Sequence, residues 1–220
     1  MDRTNMKTII QIACLFLLAG TWRPILAFHQ PTEPALETGQ QTTGYQPGDL
    51  VVNFALKDLN GKPISLKDFS GAKGLIIIFS NMHCPFSRSY ENRMIALQHK
   101  FGSMGFPVLA INPSNPNVHQ DDALGKIKER AISKGFNFTY GIDSDQKVTE
   151  AFGPTRIPTA FVLQRNGDHF EVKYRGLIDD NPQDAGAVTR PYVEEAVSNL
   201  LDHKPVITPT TLAEGCRLRF

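Results

Sequence analysis

The chain has 220 residues, 41% hydrophobic and 20% charged, which suffices for one globular domain with a buried core and appended tails. Seventeen Gly and 15 Pro are ordinary proportions and exclude collagen-like, coiled-coil and wholly disordered classes. With 23 basic against 22 acidic residues, a net charge of +1 and no dense Lys/Arg run, nothing provides the field that nucleic acid binding needs.

Arg3 and Lys7 precede an apolar stretch over residues 9–20, broken by Gln11, and Ile25, Leu26 and Ala27 stand just before a polar sequence containing Pro31 and Pro34. This pattern predicts a secretory signal peptide over residues 1–27, cleaved after Ala27. Its apolar core falls short of the ~20 residues that a bilayer-spanning helix needs. Cys14 lies ahead of the strongest apolar run, a placement that does not fit a lipoprotein signal. Cleavage would leave 20 basic against 21 acidic residues and two cysteines, Cys84 and Cys216. The expected location is periplasmic or secreted, where disulfides persist. Residues 28–46 lack apolar periodicity and are expected to form a flexible leader.

From Val51 the sequence alternates, turns at Leu59-Asn60-Gly61-Lys62 and returns over residues 63–69, as a hairpin does. Residues 75–79, Leu-Ile-Ile-Ile-Phe, form the continuous run of a strand buried on both faces. Beyond residues 80–84, Phe86, Tyr90, Met94, Leu97, Phe101 and Met104 recur at helical spacing, and Pro85 suits the first turn because it has no amide hydrogen to leave unpaired. Residues 106–111 predict a second central strand. Leu124, Ile127, Ala131 and Ile132 predict an amphipathic helix that ends at Gly135. A short strand over 136–140, a short helix over 145–152 stopped at Gly153, and a strand over 159–163 follow. Arg165-Asn166-Gly167-Asp168 turns the chain into an antiparallel partner over 172–178. A closing helix over 190–201 presents Tyr192, Val193, Ala196, Val197, Leu200 and Leu201, and a Pro- and Thr-rich tail over 204–220 carries Cys216.

This order predicts an α/β fold over residues 47–203, a three-layer α/β/α sandwich around a mixed sheet. Asn53-Phe54-Ala55-Leu56-Lys57-Asp58, Gly61-Lys62, Ser65-Leu66 and Asp68 resemble the opening of redoxins of the alkyl hydroperoxide reductase and thiol-specific antioxidant (AhpC/TSA) superfamily. His83-Cys84-Pro85-Phe86-Ser87, Thr155-Arg156-Ile157-Pro158-Thr159 and the segment over 174–182 resemble an exported, thioredoxin-like branch of it. The resemblance implies a thioredoxin-like fold and redox chemistry at a cysteine.

Cys84 follows the most buried strand and opens a helix, where unpaired amides and the helix dipole favour a thiolate. A buried structural cysteine is the bland alternative. Thioredoxins carry a second cysteine three residues after the first. Ser87 holds that position here. A hydroxyl hydrogen-bonds a thiolate but cannot resolve a disulfide, so the chemistry runs through one thiol or borrows another. Cys216 is the remaining cysteine of the exported chain, and the segment from His203 extends about 40 Å, so reach permits a Cys84 to Cys216 link. A disordered terminal thiol is the alternative. Gly215-Cys216-Arg217-Leu218 resembles a Gly-Cys ending of the same branch.

Pro158 resembles the cis-proline of thioredoxin folds, which places the preceding backbone, here Ile157, beside the cysteine to pair with an extended substrate; an ordinary trans turn proline is the alternative. Pro85, Phe86, Ile157 and Pro158 are thus the expected substrate-binding residues. Arg156 is expected either to support a thiolate or peroxide oxygen, or to be solvated. Met82 and His83 are conceivable copper ligands, but three adjacent residues do not readily face one ion. His29, His99, His119, His169 and His203 show no ligand spacing, and no metal or cofactor is expected.

These residues predict an exported thiol-disulfide oxidoreductase acting on thiol- or disulfide-containing proteins or small molecules and reset by an external thiol reductant. A redoxin-type peroxidase consuming hydroperoxide is the alternative. Peroxiredoxins place Thr or Ser three residues before the reactive cysteine and Pro four before that, positions held here by Asn81 and Ile77. A non-catalytic thioredoxin-like binding module is the third possibility.

Overall fold

The computed structural model describes residues 44–115 and 118–219. The expected signal peptide, with Cys14, and residues 28–43 of the expected leader lie outside the described residues. Among the described residues, no helix is long and apolar enough to cross a membrane.

The chain forms β1 (Leu50–Val51), β2 (Ala55–Asp58), β3 (Pro63–Ser65) and β4 (Gly74–Phe79), then α1 (Pro85–Phe101), β5 (Val108–Asn112), α2 (Leu124–Lys134) and β6 (Thr139–Ile142). It continues through α3 (Lys147–Phe152), β7 (Arg156–Ile157), β8 (Thr159–Asn166), β9 (His169–Gly176), α4 (Tyr192–Leu201) and β10 (Cys216–Arg217). Eight strands make one mixed sheet in the order β1-β9-β8-β4-β5-β6-β2-β3. Strands β4, β5 and β6 run parallel, whereas β8 joins β4 and β9 joins β8 antiparallel.

Strand β4 is buried at every position, and its alternation feeds two cores. Ile76 and Ile78 face α1, α2 and α4 through Tyr90, Met94, Ile127, Val193 and Val197. Leu75, Ile77 and Phe79 face α3 and the amino-terminal strands. Phe152 centres this second core, with ring centroids of Tyr45, Phe79 and Phe161 at 5.0, 5.3 and 4.9 Å. Burying each such side chain stabilises the fold by roughly 1.5–3 kcal/mol. The three-layer arrangement expected from the element order, and the thioredoxin-like fold that the resemblance implies, are therefore the ones observed.

Several element details differ from the sequence expectation. Helix α1 stops at Phe101, where Gly102 and the following turn lead into β5, and Met104 is exposed. Phe86 leaves the apolar face of α1 and packs with the second core, on the side of Cys84. Leu124 and Ile132 of α2 are exposed, and Ile127 alone of that helix is buried, because α2 lies at the periphery of the α1 layer. The strand expected over 136–140 forms over Thr139–Ile142, while Phe136 and Phe138 stack on each other and cover the first core. The segment after Lys204 lies along the domain: Arg175 N donates to Pro209 O at 3.0 Å, and Thr211 N donates to Arg175 O at 3.0 Å.

Candidate active site

Cys84 caps α1 in extended conformation (φ −81°, ψ 119°), with Pro85 as the first helical residue. Arg88 N donates to Cys84 O at 3.1 Å, so the amides of Phe86 and Ser87 lie ahead of the first intrahelical bond. They and the helix dipole favour negative charge at this end. Cys84 is fully buried and bonded to Cys216, with an S–S distance of 2.07 Å and Cα atoms 6.0 Å apart across 132 residues of sequence.

The second half of the site is built on β7. The Ile157–Pro158 peptide is cis, and Ile157 O lies 3.5 Å from Cys84 Sγ. Strand β10 pairs antiparallel with β7, Cys216 opposite Ile157 and Arg217 opposite Arg156. Leu218 N donates to Thr155 O at 3.0 Å and extends the pairing by one residue.

The structure thus brings together Cys84, Cys216, Ile157 and Pro158, with Phe86 packed in the same core and Pro85 exposed at the helix start. Ser87 is buried, and its Oγ accepts from Asn81 N at 3.4 Å. Arg156 is exposed, and its Nη1 donates to Gly215 O at 2.9 Å, holding the tail instead of facing the sulfur.

Sequence reasoning missed the groups that fix the loop ahead of Cys84. Asn81 Oδ1 accepts from Cys84 N at 3.0 Å. Asp122 is buried and accepts from Met82 N at 2.6 Å, from Asn112 Nδ2 at 2.9 Å and from His83 Nδ1. His83 stacks on His119 with centroids 3.8 Å apart. The partners of Asp122 are 10 to 40 residues away, so no local motif could reveal them. A cavity of about 520 Å³ opens beside the site, lined by Asn81, His83, Ser114, His119, Arg217 and Leu218 among others. On the opposite flank Arg93 makes a two-oxygen contact with Asp179 at 2.8 and 2.7 Å and donates to the carbonyls of Asn181 and Pro182. Tyr90 OH also donates to Asp179 at 3.0 Å. Burial, then the Asp179 charge, holds the Tyr90 phenol well above its usual range.

Comparison with known proteins agrees with this geometry. The AhpC/TSA family profile matches residues 47–168. The thiol-disulfide oxidoreductase ResA of Geobacillus thermodenitrificans is 30% identical over 171 residues, covering 76% of this chain and 84% of that one. An uncharacterized conserved protein of Geobacillus kaustophilus, of known crystal structure, superposes with a TM-score of 0.73 at 26% identity, over 80% of this chain and 93% of that one. The thiol:disulfide interchange protein DsbE of Chlorobium tepidum shares the fold alone, at a TM-score of 0.54 and 22% identity, over 73% of this chain and 98% of that one. With a family match over more than half its length and a cysteine at the start of the first long helix of a thioredoxin-like fold, this chain belongs to the AhpC/TSA family.

Proposed function

We propose that the protein is an exported thiol-disulfide oxidoreductase with Cys84 as its nucleophile and Cys216 as its resolving thiol. The observation that carries this reading is the Cys84–Cys216 disulfide at the start of α1, beside Ile157 and Pro158. The Cys84 thiolate attacks one sulfur of a substrate disulfide, forms a mixed disulfide and releases the other sulfur as a thiolate. Cys216, as thiolate, then attacks Cys84 Sγ, closes the internal disulfide and releases the second substrate thiolate. The substrate has gained two electrons and the protein has lost them, and an external thiol reductant returns them. Substrates are thiol- or disulfide-containing proteins or small molecules, in keeping with the ResA similarity. Ser87 lies one helical turn from Cys84, without a sulfur to compete for it. Export rests on the charged start and short apolar core of residues 1–27.

Hydroperoxide reduction at Cys84 is the weaker reading, since Asn81 and Ile77 stand where peroxiredoxins place Thr or Ser and Pro. Insulin reduction and hydroperoxide consumption, each measured with wild type, Cys84→Ser and Cys216→Ser, test the proposal. Insulin reduction should vanish in Cys84→Ser, and Cys216→Ser should accumulate a mixed disulfide. Rapid peroxide consumption without insulin reduction would overturn it, and activity in neither assay would favour a binding module.

A further inference from the structure

We infer that β10 occupies the binding site of an extended partner chain, and that residues 215–218 therefore spell out which partner sequence this site accepts. The inference rests on the thiol exchange proposed above and adds the substrate's sequence to it. Strand β7 has β10 as its one strand partner among the described residues. Without β10, the Thr155 carbonyl and the edge of β7 would be open to any extended chain, the arrangement by which sheet edges capture peptides. What lies on this edge carries its cysteine opposite Ile157 and bonded to Cys84, which is where a substrate sulfur must sit to be attacked.

Three positions of this occupant are constrained by their surroundings. Gly215, just before the cysteine, has φ +138°, and a Cβ there would lie 2.1 Å from Ile157 O and 2.8 Å from Ile157 C. Only glycine fits such a position. Arg217, just after the cysteine, is exposed and directly opposite Arg156, so like charges face each other and an acidic residue would pair better. Leu218, two after the cysteine, is half-buried against the core that holds Cys84, Phe86 and Ile157. The preferred partner is an extended segment of the form glycine, cysteine, acidic residue, apolar residue. The tail itself departs from this optimum at Arg217, and a two-residue strand with a same-charge pair is one that a better-matched chain can displace.

The test uses the full-length chain carrying Cys14→Ser and Cys216→Ser, so that Cys84 is its one thiol, and synthetic peptides of residues 213–219, each presented as a mixed disulfide with thionitrobenzoate. The Cys84 thiolate attacks the peptide sulfur, the peptide–thionitrobenzoate bond breaks, and the coloured thiolate that leaves is followed by absorbance. The native peptide should react about tenfold faster than its Gly215→Val and Leu218→Asp versions, and the Arg217→Glu peptide a few-fold faster than the native one. Placing Gly215→Val in the Cys216→Ser chain should loosen its own tail and speed the native peptide. Ellman's reagent alone gives the intrinsic reactivity of Cys84. Equal rates for all four peptides, with Cys84 reacting normally toward the small reagent, would overturn the inference and leave the proposed function standing. A Cys84 inert to the small reagent would overturn both.

Discussion

Replacing Gly215 with alanine should weaken the Cys84–Cys216 disulfide without unfolding the domain. At φ +138° an L-residue is strained, at a cost of roughly 1–3 kcal/mol. The added Cβ also meets Ile157 O at 2.1 Å, and this obstacle is backbone, so relief requires β10 to lift from β7. Reduction frees the tail and removes both penalties, so the cost falls on the oxidised form. A loss of ~2 kcal/mol corresponds to about 30-fold in the closing equilibrium, or a midpoint some ~45 mV higher. Titration in dithiothreitol or glutathione buffers, with alkylation and intact-mass readout, measures the midpoint. Gly125→Ala in α2 is the control, because a Cβ there meets nothing within 4 Å and no effect on the midpoint is expected. A Gly215→Ala midpoint within about 10 mV of wild type would refute the docking of β10 on β7 as the element that holds the disulfide closed.

Ser87→Cys restores a second thiol one turn into α1, in a buried position of nearly equal volume. It should raise insulin-reduction turnover while leaving peroxide consumption little changed, as steady-state assays of both would show. Asp179→Ala strands the Arg93 guanidinium and the Tyr90 hydroxyl beneath the loop over 179–182 and should cost ~3–5 kcal/mol in chemical denaturation. Asp143 is held above the usual carboxylate range by burial, although Thr149 and Val148 donate to it. Its unfolded form ionises first as pH rises, so its contribution is full at low pH and is lost between the ordinary value of 3.8 and the raised one. Asp143→Asn should therefore gain stability relative to wild type between about pH 3 and pH 7, read from urea midpoints; a constant difference would contradict the assignment.

The central sheet was legible because β4 is an unbroken apolar run, and a strand buried on both faces can have no other pattern. Cys84 was legible for a related reason, since strand, Cys-Pro and amphipathic helix are consecutive in the chain. The end of α1 was not, because Met104 continues the helical spacing into the turn over residues 102–105, which Gly105 closes at φ +98°. Nor was the exposed Ile132, whose spacing fits a buried face of α2 that the packing of the layer leaves uncovered. At the site, the count of exported cysteines, the reach of the tail and the Gly-Cys resemblance pointed Cys216 toward Cys84, and the structure closes that link. The fit is decided by the missing Cβ of Gly215, the Arg156 guanidinium on Gly215 O and the Thr155 carbonyl on Leu218 N, none of which leaves a periodic trace. Asp122 escaped notice likewise: a buried carboxylate that gathers Met82, His83 and Asn112 is defined by the crossing of loops after β4 and β5.

Moving the resolving sulfur from the helix to a distant strand has a consequence for the proposed reaction. In a dithiol turn the second sulfur stands one turn from the first, whatever the substrate does. Here the resolving sulfur approaches Cys84 on the strand that pairs with Ile157, the same edge that a partner peptide needs. Partner and resolver compete for one backbone, so release of the mixed disulfide waits until the tail regains register. A tightly paired substrate is consequently held longer, and a poorly paired one is released at once by Cys216. In the proposed reaction discrimination thus falls on the lifetime of the mixed disulfide as well as on its formation, both set by pairing with β7, while the helix dipole at Cys84 acts on every substrate alike.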